Sequence, residues 1–148
     1  MLYTLAMPIQ ELNINHIIFK EHTINKLLAN STFCKLMYSN TNCHISGIPF
    51  HITLHEHVTN TKYKFVIHKE KNKQLIQTIK KLEEAILLFY KHSLNNKKPV
   101  LKLTNHLLKG TLKINHETAT SNLFIIKIIG IWESQLEYGI TYRITNHL

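Results

Sequence analysis

Leu123-Phe124-Ile125-Ile126-Lys127-Ile128-Ile129-Gly130-Ile131-Trp132 is the stretch whose reading decides the fold. It is too short to span a bilayer and is broken by Lys127. Because it is apolar on both faces, it reads as a strand in the centre of a sheet, or between a sheet and a helix. Glu133 to Glu137 is a short polar loop. The chain then returns as Tyr138-Gly139-Ile140-Thr141-Tyr142-Arg143-Ile144, which alternates so that Tyr138, Ile140, Tyr142 and Ile144 share one side. The two segments predict a C-terminal hairpin.

Upstream, Asn72 to His92 carries Leu75, Ile76, Ile79, Leu82, Ile86 and Phe89 at intervals of three and four, which draws one buried stripe on a long helix. Lys80 and Glu84 are spaced to pair on its outer side. Asn95-Asn96 and Pro99 end it. Before the helix, strands are expected at Phe33 to Tyr38, Cys43 to Ile48, Phe50 to Val58 and Lys62 to Lys69; Asn15 to Lys20 is compatible with another, Ser39 to Asn42 reads as a turn, and Asn25 to Ala29 is ambiguous. In the Lys62 strand, Tyr63, Phe65 and Ile67 share one face and Lys62, Lys64 and His68 the other. After the helix come strands at Val100 to Leu103 and Lys109 to Ile114, ahead of the hairpin. Strands on either side of one long central helix predict an α+β fold, approximately β4-α-β4, with a mostly antiparallel sheet.

The 148 residues suit a single domain spanning 1–148, and the 44% hydrophobic content suits a packed core. Lys and Arg total 18 against 9 acidic residues, a formal balance of +9. That excess favours a polyanionic partner, nucleic acid being the commonest. Arg143 is the single arginine, and lysine lacks the planar fork that reads guanine, so the charge argues for backbone contact over sequence reading. Met1 to Gln10 has neither a basic start nor a long apolar core, and Cys34 and Cys43 make up the whole cysteine complement. An intracellular protein with free thiols is the expectation.

Single-stranded nucleic acid needs cations that follow the phosphates and aromatic faces on which bases stack. A sheet surface supplies both, because alternate residues line one face. On this reading Lys62, Lys64, Lys109, Lys113, Lys127 and Arg143 neutralise phosphates, while Trp132, Tyr138 and Tyr142 stack bases. The competing reading packs Trp132 and Tyr142 in the core and leaves the lysines as ordinary surface charge. His51, His55 and His57 point the same way if their segment is one strand, an arrangement able to bind zinc. No cysteine or carboxylate is placed as a further ligand, so a solvated polar face is expected and no metal or cofactor. All nine acidic residues are glutamates, and no clustered Asp/Glu set suits a metal-dependent nuclease. Gly-rich phosphate loops, nucleophile elbows and Cys-x-x-Cys pairs are absent from the sequence.

Three resemblances add to this reading. The order of strands, helix and strands is similar to that of Whirly-type and transcription-cofactor-type single-stranded-DNA-binding proteins, although the lysine-rich Whirly signature is absent. The segment Ile128-Ile129-Gly130-Ile131-Trp132-Glu133, with Tyr138-Gly139-Ile140-Thr141-Tyr142-Arg143-Ile144, resembles the endings of small proteins of large DNA viruses. The first likeness implies binding of single-stranded DNA or RNA across a sheet surface and assembly into a homo-oligomer. Phe50-His51-Ile52-Thr53-Leu54 resembles one half of the His-x-Thr signature of two-histidine phosphoesterases, with His116-Glu117-Thr118 as the other match, in a polar stretch. The leading expectation is a non-enzymatic binder of single-stranded nucleic acid with no membrane contact. The alternative is a structural or protein-interaction module, such as a viral scaffold, with an acidic protein partner.

Overall fold

A computed structural model describes residues 6–24, 31–55, 58–61, 64–90, 96–113 and 123–145. Its strands are β1 (Met7–Pro8), β2 (Ile17–Ile24), β3 (Thr32–Ser39), β4 (His44–Ser46), β5 (Ile48–Thr53), β6 (Val58–Thr61), β7 (Lys64–Val66), β8 (Lys98–Val100), β9 (Thr111–Lys113), β10 (Leu123–Glu133) and β11 (Glu137–Thr145). The helices are α1 (Lys73–Tyr90) and α2 (Lys102–Lys109). Eight strands form one sheet and β6-β7-β9 form a second, three-stranded one. Most pairings are antiparallel, with β1 on β5 and β8 on β11 as the parallel exceptions. The fold is thus α+β with a mostly antiparallel sheet, as the sequence predicts.

The long apolar stretch forms the centre of the large sheet. One edge of β10 pairs with β11 along its length. The other edge pairs first with β5, from Leu123 to Ile128, and then with β3, from Gly130 to Glu133. Two glycines make this double pairing possible. Gly47, between β4 and β5, has φ +78°, a conformation that a side chain strains. Gly130 lies where Phe33 crosses the strand: a Cβ there would stand 2.4 Å from the Phe33 ring and 2.5 Å from the Cys34 carbonyl oxygen. Phe124, Ile126, Ile128 and Ile131 point to the core with Leu36, Phe50, Ile52, Ile140 and Ile144.

Helix α1 closes this core with Ile76, Ile79, Ile86, Leu87 and Tyr90. Its outer side carries the expected Lys80–Glu84 pair at 3.9 Å. Glu83, however, sits within the buried stripe and is only 1% exposed. Its carboxylate accepts from the backbone N–H groups of Leu103 (3.0 Å) and Thr104 (2.9 Å) and from the Thr104 hydroxyl (2.6 Å). A side chain on α1 therefore satisfies the orphan donors that open α2. Burial pushes the Glu83 carboxyl above the ordinary carboxylate range, and the bonds from Thr104 and Leu103 only partly offset it.

Several expectations are corrected. The chain has a second helix, so one central helix in a β4-α-β4 order does not hold. The strand expected at Val100 to Leu103 ends at Val100, and Lys109 is the last residue of α2, not part of a strand. The Phe50 to Val58 strand ends at Thr53, with Val58 opening β6. The segment from Asn25 to Ala29 lies outside the described residues, whereas the Ser39 to Asn42 turn forms, Asn40 Oδ1 accepting from the Asn42 and Cys43 N–H groups.

Two outcomes test this core. Gly130→Ala should destabilise by about 1–3 kcal/mol in urea unfolding, because the Cys34 carbonyl is backbone and cannot turn aside. A raised Glu83 pKa means the folded protein holds a proton that the unfolded chain has released. The associated stability is fully present below the ordinary carboxylate pKa and is lost as pH rises through the folded value. Wild type should therefore lose melting temperature relative to Glu83→Gln as pH rises above the ordinary carboxylate range. A difference that stays flat with pH would contradict the buried-proton account.

Candidate nucleic-acid interface

Residues directly opposite in neighbouring strands share a face, so the register of the large sheet sorts its side chains into two sets. The first set faces the helices. Tyr90 of α1 donates a hydrogen bond to Glu133 at 2.8 Å and packs on Tyr138 with ring centroids 6.0 Å apart. Phe89 packs on Phe19 of β2 at 5.4 Å. From α2, His106 meets the Tyr142 hydroxyl through Nδ1. These contacts all fall on one face.

The opposite face is built in transverse rows. Phe33, Trp132 and Gly139 make one row across β3, β10 and β11, with Thr23 of β2 beyond Phe33. Lys35, Gly130 and Thr141 make the next. A bulge at Ile129 follows, and then Pro49, Lys127 and Arg143 stand side by side. His51, Ile125 and Thr145 form a fourth row, and Thr53 and Leu123 a fifth. Lys35, Lys127 and Arg143 are exposed, while Phe33, Ile125, Ile129 and Trp132 are half-buried. No residue in these rows is acidic. Glu21, in the β2 bulge, and Glu137, at the hairpin turn, lie outside these rows.

The glycines shape this surface. A Cβ on Gly139 would meet the Trp132 ring at 3.0 Å, so the indole occupies the space that the glycine leaves, as the Phe33 ring does over Gly130. A Cβ on Gly47 would meet Cε of Lys127 at 2.6 Å. The Lys127 stem therefore lies along the sheet and its exposed ammonium reaches past it. Cations and aromatic rings are thus held on a rigid scaffold over about 20 Å of strand.

The sequence-predicted residues divide. Lys127, Trp132 and Arg143 come together on the open face. Tyr138 and Tyr142 do not, because the alternation that groups them places them against the helices. Tyr138 is 1% exposed, and burial raises the pKa of both hydroxyls. Neither ring offers a face to a base in this structure. Lys109 and Lys113 are exposed but belong to α2 and β9, away from these rows. The register sets Lys64 opposite Lys113 in the small sheet, and Lys62 lies outside the described residues.

Lys35 and Phe33 were not singled out by sequence. Their signal lay in the alternation of Phe33-Cys34-Lys35-Leu36-Met37-Tyr38, where one lysine marks the wet side and assigns Phe33 and Met37 to it. The three-histidine alternation does not hold, since β5 ends before His55; His57 and the second His-x-Thr match lie outside the described residues. Among the described residues no group of three or more His, Cys, Asp or Glu is placed to hold a metal ion. Cys34 and Cys43 are free thiols. No helix among the described residues is long and apolar enough to cross a membrane. No protein-family model, curated protein or solved structure matches this chain.

Proposed function

We propose that this protein is a non-enzymatic binder of single-stranded DNA or RNA, and that the strand lies across the open face of the large sheet. One observation carries the reading: Lys35, Lys127 and Arg143 share that face with Phe33 and Trp132, and no carboxylate interrupts the rows. Cations beside stacking surfaces are what a flexible polyanion with exposed bases requires. A duplex presents phosphates and hides its base faces, so it gains less from the rings. The near absence of arginine leaves little means of reading base edges, and weak sequence preference follows.

A second reading has its own observation. Ile18 is 41% exposed and faces outward opposite Met37, so the same sheet face is apolar towards β2. An acidic protein partner with an apolar ridge would use the charge and this margin together. The two readings separate on whether an oligonucleotide binds.

The test is fluorescence anisotropy with a labelled single-stranded oligonucleotide and its duplex over a salt series. Three cations at about 0.7 each predict a slope of log K against log salt near about −2 for the single strand. Arg143→Gln should flatten that slope by about 0.7. Trp132→Ala should cost about 1–3 kcal/mol of binding per stacked base, whereas Tyr142→Phe should leave affinity unchanged. Absence of binding at low salt would remove the nucleic-acid reading and favour the protein partner.

A further inference from the structure

The rows of the open face end at His51 and Thr53, alternate residues of β5 that line a cleft of ≈ 400 Å³ at the sheet margin. The short β1 pairs only with Phe50 and His51. Beyond that point this edge of β5 has no strand partner among the described residues, and the first turns of α1 come in beside it. Lys71, Gln74 and His55 continue the polar lining. None of the described residues that line the cleft is acidic.

The position of His55 is built. Its backbone N–H donates to Asn72 Oδ1 at 2.8 Å, and its carbonyl accepts from Asn72 Nδ2 at 2.8 Å. The same amide donates to the His68 carbonyl at 2.9 Å. Asn72 is 1% exposed, so a fully buried amide clamps the loop bearing His55 to the residues that lead into α1. Two histidines, a lysine, two threonines and two glutamines therefore line one cleft. Such a set offers several donors to a compact anion, and the described lining residues include no carboxylate to repel it. A phosphate monoester, with its near-double charge and three strong acceptor oxygens, matches it best. The volume leaves room for an attached nucleoside.

We propose that this cleft binds a phosphate monoester, supplied by the terminal phosphate of a strand lying on the open face. The strand as source rests on the function proposed above; the phosphate site rests on the cleft alone. The direct test is a titration of the protein with inorganic phosphate at fixed pH, following the imidazole carbon-bound proton signals of His51 and His55 by NMR. Both should shift saturably, and Lys71→Gln, a change at an exposed residue, should weaken the response by about tenfold. Shifts that sodium chloride reproduces at matched ionic strength would overturn the site.

A second measurement assigns the source. One oligonucleotide is compared in 5′-phosphorylated, 3′-phosphorylated and unphosphorylated forms by anisotropy. One phosphorylated end should bind about tenfold tighter than the bare strand, and Lys71→Gln should abolish the difference. Equal binding of all three forms would overturn the strand end as source while the imidazole shifts still upheld the phosphate site. If no form binds yet the imidazoles respond, the sheet reading fails and the cleft stands as a site for a free nucleotide or phosphate.

Discussion

The architecture depends on one constraint: β10 must be paired along both edges. One of those edges is shared between two strands that arrive from different directions, β5 for its first half and β3 for its second. That division requires the corner at Gly47 and the close approach at Gly130, and it fixes which way every side chain of β10 points. Phe124, Ile126 and Ile128 enter the core, so Leu123, Ile125 and Lys127 must face outward. The bulge at Ile129 reverses this parity, which sends Ile131 inward and Trp132 out. The placement of the candidate binding residues is therefore a consequence of how the core is packed.

Charge is segregated by the same packing. Glu83 is consumed in opening α2, and Glu133 in accepting from Tyr90 and pairing with Lys97 at 2.5 Å. Both acids lie on the helix side of the sheet. The cations of the opposite face are left without acidic neighbours in their rows, in a chain whose formal balance is already +9. An exposed positive field over a surface of half-buried rings concentrates polyanions and gives bases somewhere to rest.

The parts of the fold that were legible in the sequence are those set by local periodicity. The C-terminal hairpin, the long helix and the Phe33 strand each announce their period over six residues or more. The second helix was not legible because its cap is not local. Leu101 stands where a Ser, Thr, Asp or Asn would signal a helix start, and the capping carboxylate comes from Glu83, about three turns into another helix. Local hints were Gly110, which ends α2 in the left-handed region at φ +82°, and the spacing of Leu103 and Leu107. The site was half legible. Alternation groups Tyr138 with Tyr142 and Lys127 with its neighbours, but only the position of the helices decides which group is dry.

Trp132 is the single tryptophan and lies among the cations of the open face, so its emission reports on that surface without a label. Titrating a single-stranded oligonucleotide while recording tryptophan fluorescence tests the central claim most directly. The account predicts saturable quenching that added salt reverses. Emission that stays constant at oligonucleotide concentrations that saturate binding by anisotropy, or that never responds because nothing binds, would contradict it.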